Sequence, residues 1–181
     1  MTAKRYAEIA ARLRVPLGFG MILLYALFSR PAPRPAAAGA GLAFLGLLLR
    51  AMATGYLNKN RELSTGGPYA HTRNPLYLGT ALVAAGFALA GCQWWIAGLL
   101  ALFFAVVYLP VVGEEEAHLA QLFPDFRDYA ARVPRFWPAL RPRWKSPDRF
   151  RWALYRQNQE YNAAVGYLFG LALLAWKLIA P

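Results

Sequence analysis

Cysteine and histidine are nearly missing from this chain. The single cysteine, Cys92, cannot form an internal disulfide, and with only His71 and His118 to add, no thiol-rich metal centre can be assembled. Acidic residues are scarce as well, nine Asp and Glu against 20 Lys and Arg, which leaves a formal charge of +11. No glycine-rich dinucleotide fingerprint occurs. Internal repeats are absent, and no Ser/Gly-rich linker separates two differently composed halves. A disulfide scaffold and a zinc-held fold are thereby excluded, and residues 1–181 are expected to form one domain.

What is present in excess is apolar surface. Of the 181 residues 58% are hydrophobic and 16% charged, more apolar than a soluble core of this size can hide. Five stretches read as membrane spans: Val15 to Ser29, Ala36 to Leu57, Leu76 to Gly91, Trp94 to Val112, and Tyr161 to Ala180. A bilayer core asks for about 20 apolar residues. The first and third are short, and Arg12, Arg14, Trp94 and Trp95 supply interfacial anchors for them. The predicted fold is an all-α, polytopic transmembrane bundle of about five spans. A signal peptide is the rival reading of the first stretch, since Lys4, Arg5, Arg12 and Arg14 precede it. Gly91, Cys92 and Gln93 leave room only for a tight turn, so spans three and four form an antiparallel hairpin.

Charge fixes the orientation. Sixteen of the basic residues fall on the side that receives the N-terminus, Gly55 to Pro75 and Gly113 to Glu160, whereas Arg30, Arg34 and Lys177 fall on the other. By the positive-inside rule the richer side is cytosolic, as in a bacterial-type inner membrane. Basic residues that flank apolar segments fit anionic lipid, not nucleic acid. Arg50 lies inside span two near its cytosolic end, where it can snorkel or serve function. Asn158 and Glu160 are expected to be interfacial, and the Gly166 to Gly170 spacing to serve helix packing.

Two polar stretches carry the chemistry, at the two cytosolic ends of the hairpin. In the first, Gly67 to Gly79, Asn74 suits a helix cap and Pro75 the first helical position, so free N–H groups beside Arg73 offer a seat for a carboxylate. Tyr69 and Tyr77 flank it as aromatics. The second, Glu114-Glu115-Glu116-Ala117-His118, puts three carboxylates where span four leaves the membrane. Helix C-termini do not favour acids, so the helix is expected to continue past them, with Glu114 and His118 on one face. Such a cluster suits a cationic ligand. Beyond it, Arg132-Val133-Pro134-Arg135-Phe136-Trp137 interleaves arginine and aromatics, as a membrane-surface segment or as a clamp for an acidic headgroup.

These residues resemble the isoprenylcysteine carboxyl methyltransferase and phospholipid methyltransferase superfamily of integral membrane enzymes, over roughly Gly67 to Pro138. The matching elements are Arg73-Asn74-Pro75-Leu76-Tyr77-Leu78-Gly79, then Glu115-Glu116-Ala117-His118-Leu119, Tyr129 and Arg132-Val133-Pro134. Asn74 stands where many relatives have His, and Pro124 where Gly is usual. The resemblance implies S-adenosylmethionine held at the cytosolic membrane edge by Tyr69, His71, Arg73, Asn74, Pro75, Tyr77, Gly79, Glu115, Glu116 and His118, with the segment between spans four and five completing the site. It implies methyl transfer to a lipid or other hydrophobic acceptor. Arg132 or Arg135 would orient a carboxylate acceptor. For an amine or thiol, Glu116, His118 or His71 would take the proton. Competing readings are a membrane scaffold or lipid-binding subunit and a nicotinamide-dependent membrane reductase.

Overall fold

The computed structural model describes residues 3–179. Among them there is no strand, and seven helices account for the architecture: α1 (Ala3–Phe28), α2 (Pro33–Thr54), α3 (Pro75–Ala90), α4 (Trp94–Leu122), α5 (Phe126–Arg132), α6 (Trp152–Gln157) and α7 (Tyr161–Ile179). Four of them, α1, α2, α4 and α7, are long and apolar enough to cross a membrane. At 16 residues α3 is shorter, about 24 Å at 1.5 Å per residue. The chain is a helical membrane bundle, as its composition requires.

The predicted spans are all helical, but several of their ends move, and the fourth runs on from Val112 to Leu122. The first span starts much earlier than Val15, because the Arg-rich segment before it is helical too and Pro16 is accommodated inside α1. The second ends at Thr54 instead of Leu57, and Ala180, the predicted end of the last, lies outside the described residues. The hairpin turn is confirmed at Gly91, Cys92 and Gln93, with Cys92 in the left-handed region at φ 52°.

Glycine explains why α2 and α3 form the most extensive helix pair. A Cβ on Gly46 would lie 2.6 Å from the Gly79 carbonyl oxygen, and one on Gly79 would lie 2.7 Å from that of Gly46. Only bare backbones fit. In lipid, where helices gain nothing from hiding apolar surface from each other, such close packing is what holds them. Gly46→Ala is therefore expected to cost about 1–3 kcal/mol. Gly98, with nothing within 4 Å of its Cβ position, should accept Ala without loss. Thermal unfolding in detergent compares the two.

Helix α4 runs 29 residues and so overshoots the start of α3, carrying Glu114–Glu116 out of the apolar layer. It is not regular throughout. Pro110 has no N–H to give the Val106 carbonyl, and a π-helical stretch, Phe104–Tyr108, absorbs the mismatch. The Val106 carbonyl instead accepts the Tyr6 hydroxyl at 2.8 Å, which ties α1 to α4.

On the charged face, the segment after α5 folds back beneath the α2–α3 connection. Pro134 O accepts from Arg73 N at 2.9 Å, Ala139 N donates to His71 O at 2.9 Å, Arg143 N to Ala70 O at 2.8 Å, and Arg151 N to Gly55 O at 2.9 Å. Tyr129, 2% exposed, donates its hydroxyl to Tyr69 O at 2.8 Å, and burial raises its phenol above the ordinary range. Outside, Arg151 pairs with Glu62, whose carboxyl is held below its usual range chiefly by that hydrogen bond. On the opposite face Lys177 Nζ donates to Ser29 O at 2.9 Å and Arg30 N to Gly91 O at 2.9 Å.

Candidate active site

The start of α3 and the acidic turn of α4 meet. Tyr77 donates its hydroxyl to Glu115 Oε2 at 2.8 Å, and the Asn74 amide donates to Glu116 Oε1 at 2.8 Å. Asn74, 7% exposed, also donates to Arg135 O at 3.2 Å. Its side chain therefore does not cap α3, contrary to expectation. The physical reason is competition: a carboxylate within reach is a stronger acceptor for the amide, and Pro75 removes one of the N–H groups a cap would serve.

Glu116 is the centre of the cluster. Arg73 Nε lies 3.3 Å from Oε1 and Arg135 Nε 3.1 Å from Oε2. Both Nε atoms are buried with no hydrogen-bond partner of good geometry, so neither guanidinium is saturated by the pairing. Arg73 is anchored by Nη1 on the Ala130 carbonyl at 3.0 Å. The Thr72 hydroxyl, which no motif singles out, reaches Arg135 O at 3.1 Å and Phe136 O at 3.2 Å. It fixes the turn that presents Arg135.

The charges separate into two poles. Two arginines share one carboxylate, leaving a net positive pole. Glu115 has the Tyr77 phenol as its hydrogen-bonding partner and no arginine among the described ion pairs, leaving a negative one. Tyr69 is 7% exposed, and burial first and the Glu115 carboxylate second push its phenol well above the ordinary range. Tyr108, in the π-helical stretch, meets Tyr77 edge-on at 5.8 Å and stacks on Phe104 at 5.2 Å. Pro110 was the signal for it, because π turns often mark functional sites.

Other expected site residues sit at the margin. His71 Nδ1 lies 2.7 Å from the Ala139 carbonyl, so in the neutral ring this nitrogen carries the proton and Nε2 keeps its lone pair. His118 is exposed and turns toward Asn60, 3.3 Å from its Oδ1, not toward the glutamates. Arg132 is exposed, with its guanidinium 5.4 Å from the Trp144 ring centroid. Pro75 opens α3, and Gly79 clears a path for Arg50, whose Cγ would be 2.6 Å from a Cβ there. That arginine makes a fork on Glu160, Nε to Oε1 at 2.7 Å and Nη2 to Oε2 at 3.0 Å, and its Nη1 reaches Thr80 Oγ1 at 2.5 Å. Glu160, expected at the interface, is 5% exposed. A partner 110 residues away is invisible to sequence spacing.

Residues 36–125 match the family model described as phospholipid methyltransferase. Among curated proteins, the chain is 38% identical over 104 residues to the cobalt-zinc-cadmium resistance protein CzcN of Cupriavidus metallidurans, covering 56% of this chain and 47% of that one. It is 35% identical over 121 residues to the nickel-cobalt-cadmium resistance protein NccN of Alcaligenes xylosoxydans xylosoxydans, covering 66% of this chain and 51% of that one. The chain thus spans about half the length of the curated relatives it matches. No solved structure matches it. The matched residues hold α2, α3, α4 and both halves of the site, and through them this chain belongs to the phospholipid methyltransferase family, within the isoprenylcysteine and phospholipid methyltransferase superfamily.

Proposed function

We propose that the chain, as one domain over residues 1–181, transfers a methyl group from S-adenosylmethionine to a lipophilic acceptor, with its charged face and N-terminus cytosolic in a bacterial-type inner membrane. The observation that carries this is the two-pole site. S-adenosylmethionine bears a carboxylate, an ammonium and a sulfonium, and it supplies the methyl group on the sulfonium. The unsaturated guanidiniums of Arg73 and Arg135 fit the carboxylate. Glu115 fits a cation, and Tyr69, Tyr77 and Tyr108 offer aromatic surface to an adenine.

Displacement at a methyl carbon needs alignment and a dry site more than a strong acid. Asn74, Arg73 and Thr72 supply that alignment by pinning Glu116 and Arg135. Arg135 would orient an acidic acceptor, and Arg132, stacked on Trp144 at the rim, would meet its headgroup from outside. An acceptor that must lose a proton needs a base. Glu116 is poorly suited, since two arginines and an amide already occupy its oxygens. His71 Nε2 is the better candidate, ahead of His118, which faces away.

Titration of purified, detergent-solubilised protein with S-adenosylmethionine, S-adenosylhomocysteine and reduced nicotinamide cofactor tests the reading. The first two are expected to bind and the third not, and preference for the nicotinamide cofactor would overturn it. Glu115→Gln is expected to weaken S-adenosylmethionine about 10-fold, the scale of one charge-assisted contact. The resistance named for the two relatives specifies no acceptor, so mass spectrometry of lipid extracts incubated with labelled cofactor is the experiment that finds it.

A further inference from the structure

A second feature of the bundle lies behind α3, away from the glutamates. A cavity of about 700 Å³ opens between α1, α2, α3, α4 and α7, within the roughly 300–1,000 Å³ usual for ligand sites. Its α7 wall runs from Ala163 to Leu173, a rise of about 15 Å. That is half of a hydrocarbon core of about 30 Å, the depth of one leaflet. The lining is mostly apolar: Arg50 and Thr80 enter it at one end, and Tyr25 and Tyr167 are its other polar side chains, the Tyr167 hydroxyl being taken up by the Ala40 carbonyl at 3.1 Å.

Two glycines line this space with no neighbour pressed against them, a property they share with Gly20, Gly41 and Gly98 elsewhere in the bundle. Cβ atoms on Gly18 and Gly166 would meet nothing within 4 Å, although both residues sit inside helices and line the cavity. Gly39, Gly46, Gly79 and Gly86, by contrast, are each pressed against a neighbouring backbone. A mid-helix glycine costs about 0.5–1 kcal/mol relative to alanine, so close helix contact does not account for Gly18 and Gly166.

The polar end selects the ligand's chemistry. Arg50 lies four residues before the end of α2, about 6 Å below it. Glu160 cancels its charge, so a free anion gains little there. Of the five guanidinium N–H donors, two go to Glu160 and one to Thr80, and two remain for a neutral acceptor. A neutral oxygen at that depth, heading a chain of one leaflet's length, describes the ester carbonyl of a glycerolipid.

We infer that this cavity binds one acyl chain of an ester-linked phospholipid from the leaflet at the charged face, with its ester carbonyl beside Arg50. Two of its walls, α1 and α7, lie outside the residues matched by the family model. The site is distinct from the methyl-transfer centre and does not depend on that reading.

The test uses the delipidated 181-residue chain in detergent, with dioleoyl phosphatidylcholine or its diether analogue as probe. Native mass spectrometry should show one phospholipid retained per wild-type chain, and the diester should raise the unfolding midpoint more than the diether. Gly166→Leu fills the space and should abolish both retention and the shift, while unfolding no lower than lipid-free wild type and keeping its S-adenosylmethionine affinity within about twofold. Should that variant lose cofactor binding as well, Gly18→Leu, which plugs the cavity from the other side, decides. Undiminished retention in both variants overturns the site, and equal shifts from diester and diether overturn the role given to Arg50.

Discussion

Glu116→Ala is expected to abolish methyl transfer and to lower the unfolding midpoint by about 6–12 °C. Removing one partner of a buried ion pair costs about 3–5 kcal/mol. The lower end applies here because Arg135 is 40% exposed, whereas Arg73 is only 16% exposed. At roughly 2–4 °C per kcal/mol for a chain of this size, about 3 kcal/mol gives the stated fall. The loss of transfer has a separate origin. Without the carboxylate, Arg73 and Arg135 repel each other and Asn74 loses its acceptor, so the turn at residues 134–136 shifts, and a displacement of about 1 Å is enough for a 100-fold loss. Glu116→Gln keeps the shape and should unfold higher than the alanine variant. Wild-type turnover in either variant would remove Glu116 from the site.

The second large effect is expected at the other buried pair. Arg50→Leu and Glu160→Leu should each cost about 3–5 kcal/mol, because each strands a charge in the apolar layer. The double variant should recover most of that loss, since two leucines leave nothing unpaired there except Thr80 Oγ1, which also bonds the Leu76 carbonyl at 2.9 Å. Thermal unfolding of the three variants gives the coupling directly. Additive losses would mean that the fork contributes nothing as a pair. The pair connects α2 to α7, so limited proteolysis of the 140–160 segment should speed up in the single variants and not in the double.

Much of this protein was legible one residue at a time. The third span's start at Pro75, the turn at Cys92 and the continuation of α4 through three glutamates follow from proline geometry, segment length and the aversion of helix ends to like charge. The convergence of Arg73 to Gly79 with Glu114 to Glu116 was readable as well, because a hairpin with a three-residue turn returns its two far ends to the same level. The particular pairings were not. Asn74 was expected to cap α3 and instead holds Glu116, a choice that depends on α4 standing within 2.8 Å of its amide. His118 and Glu114 share a helix face by spacing, yet His118 turns to Asn60 because of where the 58–62 loop lies.

The sequence by itself determined that this chain is a helical membrane bundle and that a tight hairpin returns two motifs to the same level, because hydropathy and turn length act locally and do not wait for a partner. Tertiary structure alone decided that Glu160 is buried against Arg50, that Glu116 is shared by two arginines while Glu115 is left to a phenol, and that Gly18 and Gly166 face empty space where Gly46 and Gly79 face backbone. Those outcomes turn on distances of a few ångströms between segments far apart in the chain. No pattern along a single strand of sequence encodes them.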